Sequence, residues 1–345
     1  MEQPASLNNV TNVSYNQDLD LIQCTRYTAF FVTSVIVGII VSLTTFFGNS
    51  LILIAIRRFS AQFKGSLFML IRNLAAADIL LAFGINLHLV GICFNAWNTS
   101  ENVIFCAIKK SIVSSSLVCS GLTLMLVSLD RFCAIVFPLR HMIRHRRKKI
   151  WTAISMTWVI SIATMAFPTM YSMVTKSHGP VLCRFGTTVP RYVALGAVGF
   201  LLLQVIFNSV LFIVVILKVR YSNRQKDIWI VKKHATTNSK GSTISSKSKL
   251  MAKVYVIFAI CWFPFITTTL LLETDVSIEK RMRYSCIREY SLHLGFINSG
   301  LNWIVYGLAN NRFRDAFKQI LRCAVSKASR SPYRLTRRTE ISSTV

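Results

Sequence analysis

Acidic side chains are the scarcest chemistry in this sequence: 13 Asp and Glu stand against 40 Lys and Arg, a net charge of +27 at pH 7. Well inside the apolar runs, only Asp78 and Asp130 bring a carboxylate. That is thin material for catalysis, and no His-Glu-x-x-His helix, Gly-x-Ser-x-Gly elbow or phosphate-binding glycine loop occurs. An enzyme is therefore not expected, and no motif requires a cofactor. No Arg-rich segment interleaved with aromatics is present either, so the basic excess does not point to nucleic acid. Internal repeat symmetry is missing, which argues against inverted-repeat transporters. Residues 1–29 lack a basic start followed by an apolar core, so no cleavable signal peptide is expected. No soluble domain of useful size is visible.

Apolar residues are abundant: 53% of the chain is hydrophobic, 15% is charged and the mean hydropathy is +0.49. A helix needs about 20 apolar residues to cross a bilayer. Runs of that kind cover residues 30–56, 66–93, 103–136, 150–171, 192–217, 250–272 and 289–308. The seven runs predict an all-α membrane protein, a seven-transmembrane helix bundle over residues 30–308 with a tail at 1–29. A short amphipathic eighth helix is expected in 309–323, followed by a tail at 324–345. Within 311–323, Phe313, Phe317, Ile320 and Leu321 share one face and the opposite face is basic, as in a helix lying along the membrane interface. Most of the Lys and Arg fall in the loops, helix ends and tail of one side. The positive-inside rule then places the N-terminus outside and the C-terminus in the cytoplasm of a plasma-membrane protein. The charge suits inner-leaflet lipids and an acidic cytosolic partner. Sequons at Asn9-Val-Thr and Asn12-Val-Ser suit glycosylation of an extracellular tail, while a third at Asn98 abuts two spans.

Most of the nine cysteines sit inside spans as small apolar fillers. Cys24, Cys106, Cys183 and Cys286 fall on the oxidising side. The expected pairs are Cys106–Cys183, tying the third span to the second outer loop, and Cys24–Cys286; spacing alone does not fix the connectivity. Residues 235–248, rich in Ser, Thr, Lys and Gly, should be flexible. Asp130 and Arg131 lie at the inner edge of the third run. A charge pair there either marks the end of a span or acts as a switch.

The punctuation of these runs resembles that of the class A (rhodopsin-like) G-protein-coupled receptors over roughly residues 30–323. It includes Gly48-Asn49, Leu74-Ala-Ala-Ala-Asp78, Cys106, Asp130-Arg131-Phe132, Pro138 and Trp158. Further along come Phe258-Ala-Ile-Cys261-Trp262-Phe263-Pro264, Asn298-Ser-Gly-Leu-Asn302-Trp303-Ile-Val-Tyr306, and Asn311-Arg-Phe313-Arg-Asp-Ala-Phe317. The resemblance implies a receptor that passes binding of an extracellular ligand to a heterotrimeric G protein by outward movement of helix six. Asp130, Arg131, Phe132, Asn302 and Tyr306 would form the coupling switch. Phe258, Trp262 and the kink at Pro264 would link it to the ligand. Asp78, Ser120, Asn298 and Asn302 would hold an allosteric sodium ion, with a neutral polar network between helices as the alternative. Arrestin and receptor kinases are further implied partners.

Several positions depart from the family's pattern. Phe132 replaces a tyrosine and Trp303 replaces the proline of helix seven. Val210 stands where helix five usually has proline, Lys218 where it often has tyrosine, and Gly121 where helix three usually has a branched aliphatic. Residues 244–249 supply no acid to clamp Arg131. These changes leave open a receptor with raised basal activity, or one with absent coupling that acts as a scaffold.

For the ligand, Val113 stands where amine receptors carry aspartate, and Phe296 stands where opsins carry the retinal lysine. A non-aminergic, non-opsin receptor is expected. His88, Lys109, Val113, Ser114, Arg191, Trp262, Phe265, Glu289 and His293 are the candidate pocket residues. Lys109 and Arg191 would suit an anionic or lipid-like ligand; a neutral small molecule or a peptide remains the alternative. Cys323 is a candidate palmitoylation site. Ser343-Thr344-Val345 matches the carboxyl-terminal ending that PDZ domains capture, and nearby Ser and Thr residues are candidate kinase sites.

Overall fold

The structure is a computed structural model that describes residues 28–93, 103–137, 147–175, 191–233, 241–272 and 277–330. Asn9, Asn12, Cys24, Cys183 and Ser343–Thr344–Val345 lie outside the described residues, as do the side chains of His88, Arg191, Cys286, Glu289 and Cys323. Among the described residues every regular element is helical. The chain runs α1 (Thr28–Arg58), α2 (Ser66–Cys93) and α3 (Val103–Val136). Next comes α4, which combines Arg147–Ser161, a π-helical turn Ile162–Ala166 and Phe167–Thr175. Then follow α5 (Arg191–Lys233), α6 (Gly241–Leu272), α7 (Ile278–Ala309) and α8 (Asn311–Arg330).

Six of these helices are long and apolar enough to cross a membrane. The seventh expected span, α7, falls short of that standard for a physical reason. Its first turns carry Glu279, Lys280, Arg281, Arg283 and Arg288, and its second half carries Asn298, Ser299 and Asn302. It nonetheless packs along α6 and α1 as part of the bundle. The helices also outrun their apolar cores. At 43 residues α5 is about 65 Å long, against a hydrocarbon thickness of about 30 Å, and its apolar window ends at Lys218. The segment expected to be flexible, 235–248, is helical from Gly241 onward.

Pro168 explains the π turn of α4. Proline brings no backbone donor and its ring crowds the preceding turn, and the widened turn accommodates this with Phe167 N–H bonded to the Ile162 carbonyl. In α6 the helix continues through Pro264. Thr268 and Thr267 donate their hydroxyls to the Pro264 carbonyl at 2.7 and 3.0 Å, a back-bonding pattern that favours a bend here.

Polar ties set how the helices sit. Asn73 of α2 donates to Thr123 of α3 at 2.8 Å and accepts from the Trp158 indole of α4 at 2.9 Å. Tyr255 of α6 donates to the Val205 carbonyl of α5 at 2.6 Å and meets Ser209 at 2.7 Å, with its ring stacked on Phe212. At the far end, fully buried Phe313 of α8 stacks on Tyr306 and meets Phe63, Phe68 and Phe317. Arg312 fastens the start of α8 to the Gln62 carbonyl at 2.8 Å. Phe313, Phe317 and half-buried Ile320 thus form the covered face of α8, as expected. Leu321 does not join them and stays exposed. A helical wheel groups it with that face, but Phe63 and Phe68 cover only the side nearer Phe313.

Candidate functional site

At mid-bundle the chain gathers its buried polar groups around Asp78, which has no exposed surface. Ser120 donates to Asp78 Oδ1 at 3.0 Å and Asn302 donates to Oδ2 at 2.7 Å. The Ser299 hydroxyl also hydrogen-bonds this carboxylate. A buried carboxylate with so many donors is held in position, because each lost bond would strand a polar group in a medium without water. Asn298, the fourth expected member, is buried one helical turn before Asn302 on α7, and its Oδ1 has no partner among the described residues. A carboxylate with a hydroxyl and an amide on it, and an orphaned carbonyl oxygen on the same helical face as that amide, is a donor set that fits a hard cation. Ser299 was not foreseen. Its signal was present, since a serine three residues before Asn302 shares that residue's helical face.

The expected floor of the pocket is also assembled. Trp262 is buried, tilted against Phe258 at 6.2 Å and edge-on to Phe265 at 5.7 Å. A Cβ at Gly295 of α7 would lie 2.9 Å from this indole, so glycine there lets the tryptophan reach α7. Higher in the bundle, buried Lys109 holds its ammonium 5.6 Å from the Phe105 ring. His293 meets Phe296 edge-on at 6.1 Å, and Ser114 is half-buried. Val113 packs with Leu81, Ile85 and Phe296, in contact with Gly84 of α2.

At the inner end of α3, Asp130 and Arg131 are 7% and 8% exposed. Arg131 Nε donates to Asp130 Oδ2 at 3.0 Å, and its Nη2 donates to the same oxygen. The two charges neutralise each other inside the bundle. Beside them Phe132 meets Phe137 edge-on at 6.1 Å.

The departures from the family pattern have structural counterparts. Val210 faces outward, 55% exposed, and Lys218 is exposed at the inner part of α5. The space at Gly121 is not empty: the fully buried Gln204 side chain of α5 enters it, with Oε1 2.6 Å from where a Cβ would stand. Neither Gln204 amide atom has a partner among the described residues. Trp303 lies against Gly48 of α1, where a Cβ would come within 1.9 Å of indole Cδ1. Nearby, Asn49 donates to the Ser299 carbonyl at 3.1 Å and Gly300 packs on Thr44 and Thr45. Tryptophan in place of proline is therefore accommodated by a glycine on the neighbouring helix, a cross-helix pairing that no single motif reveals. Cys106 is disulfide-bonded, whereas Cys119, Cys133 and Cys261 are thiols outside any disulfide.

Comparison with known proteins agrees with this arrangement. The model of the 7 transmembrane receptor (rhodopsin family) matches residues 48–306. The chain is 27% identical to the histamine H2 receptor of Cavia porcellus, over 88% of its own length and 83% of the relative's. It is 27% identical to the B2 bradykinin receptor of Sus scrofa, over 74% and 70%. It is 25% identical to the somatostatin receptor type 1 of Rattus norvegicus, over 82% and 70%.

Proposed function

The chain belongs to the rhodopsin family of seven-transmembrane receptors, and from that premise we propose that it turns binding of an extracellular, non-aminergic ligand into heterotrimeric G-protein activation at the inner end of α3. The observation that carries this reading is the buried Asp130–Arg131 pair. A buried ion pair is costly to desolvate and contributes little net stability, so its use is as a two-state element. Outward movement of α6 would uncover Arg131 for the G protein. That movement must break or carry along the bonds of Tyr255 to α5. A ligand seated above Trp262 biases this equilibrium only by binding one state better. Val113 offers no carboxylate to an amine, and buried Lys109 suits an anionic group. Expression in cells with readouts for several G-protein classes, first without ligand and then with a ligand library, tests the reading. Ligand-dependent activation is expected, and silence at full surface expression would overturn it.

Sodium fits beside Asp78. The ion, when bound, supplies a countercharge to the carboxylate; Ser120, Asn298 and Asn302 would hold it with Asp78. Sodium is expected to shift agonist affinity, and Asp78→Asn is expected to abolish the shift in a radioligand competition assay. An undiminished shift in that variant would remove the ion from this site.

A second reading is favoured by one contact. Trp303 seated on Gly48 fastens the inner half of α7 to α1, and a receptor restrained in this way would couple weakly and act as a scaffold.

A further inference from the structure

A helix that swings outward on activation must be held inward at rest, and no acid on α6 can do this through Arg131. The helix carries no Asp or Glu anywhere from Gly241 to Leu272. Among the described residues Arg131 bonds only to Asp130 of its own helix.

What fastens α6 is a hydroxyl on the flank that meets α5. Tyr255 opens the apolar window of α6. It donates its one proton to the Val205 carbonyl at 2.6 Å, so across the 2.7 Å contact Ser209 donates and the tyrosine oxygen accepts. The ring stacks on buried Phe212, with centroids 5.2 Å apart. Val205, Ser209 and Phe212 share one face of α5, at spacings of four and three. One half-buried side chain thus engages three turns of α5. In the apolar part of a bilayer no water replaces such bonds when the helices part.

A second contact keeps α5 from following α6. Gln204 is fully buried, with Oε1 2.6 Å from where a Cβ on Gly121 of α3 would stand. Consecutive helical residues point about 100° apart. So α5 is pegged into α3 by Gln204 and tied to α6 at Val205. Carrying α5 outward would pull a fully buried carboxamide from its gap. Breaking the Tyr255 bonds is the easier course. Tyr255 is also placed to respond to the pocket. Tyr255, Phe258 and Trp262 follow one another at spacings of three and four on one face of α6, and Phe258 meets Trp262 at 6.2 Å. The hydroxyl-bearing residue stands nine residues before Pro264, about 14 Å along the swinging arm.

We infer that Tyr255 is a positioning residue for coupling: its hydroxyl holds α6 on α5 at rest, and its bonds to Val205 and Ser209 break when α6 swings out. The inference rests on the coupling movement proposed above, so its test reads the movement separately from the G protein.

The full chain in nanodiscs carries spin-label amino acids at exposed Lys149 of α4 and Lys253 of α6. Their separation is measured by double electron–electron resonance, and ligand-free guanine-nucleotide exchange is read on the same variants. Tyr255→Phe keeps the ring and removes the hydroxyl. It is expected to raise the share of the longer separation about fivefold, the worth of two interhelical bonds in a membrane, and to raise exchange by a similar factor. Ser209→Ala should give a smaller rise, because the Val205 bond remains. Added to Tyr255→Phe it should change nothing further. Ser42→Ala removes a buried donor between α1 and α2. This control should lower the melting temperature and leave the separation as it was. A longer separation with unchanged exchange would uphold the latch and count against the coupling reading. An unchanged separation in folded Tyr255→Phe, or an equal change in Ser42→Ala, would overturn the proposal.

Discussion

Gly48→Ala is expected to destabilise the receptor by about 3 kcal/mol, the upper end of the cost of overpacking. The methyl group would stand 1.9 Å from Trp303 Cδ1 and 2.3 Å from its Cγ and Nε1. Cγ is the root of the ring, so the indole cannot yield by swinging only its far edge. The same substitution should change sign once the tryptophan is removed. In a helix interior alanine is favoured over glycine by about 1 kcal/mol, so in a Trp303→Ala background Gly48→Ala should be neutral or stabilising. Trp303→Ala alone opens a cavity and lowers stability in its own right. The diagnostic quantity is therefore the coupling in the double-mutant cycle, read from melting temperatures of detergent-solubilised protein. A coupling near zero would show that Trp303 does not rest on Gly48.

Asp130→Ala is expected to cost about 3 kcal/mol, because it leaves Arg131 buried without its counter-ion. The lower end of the usual range applies, since the long arginine stem can carry its guanidinium toward the membrane edge. Replacing both residues, as in Asp130→Ala with Arg131→Met, should recover most of the loss, because a buried pair contributes little beyond repaying its own desolvation. Melting temperatures of the two variants should therefore differ in the direction opposite to the number of substitutions. If the single variant melts at the wild-type temperature, the pair is solvated and has no burden to relieve.

These two sites show what could be read from the chain and what could not. The apolar runs at 66–93 and 103–136 match α2 and α3 at both ends, since apolar sequence continues to the ends of both helices. For α5, α6 and α7 the runs mark the membrane thickness only, and helical sequence carries each beyond it. Asp78, Ser120 and Asn302 were legible because their motifs resemble those of the family; that a polar residue deep in an apolar run must find a partner agrees with the grouping but does not select it. The partner of Trp303 and the occupant of the space at Gly121 were not legible. Both depend on which faces of two distant helices meet, and a glycine in an apolar run does not say what enters its gap.

The most direct measurement is guanine-nucleotide exchange on purified heterotrimeric G proteins of several classes by nanodisc samples matched for folded receptor. Wild type, Asp130→Asn and Arg131→Ala should be compared without added ligand. If the buried pair is the coupling switch, Asp130→Asn should raise exchange above wild type, because Arg131 loses the partner that holds it in. Arg131→Ala should fall to the receptor-free rate. Equal exchange by all three samples, or exchange undiminished by Arg131→Ala, would contradict it.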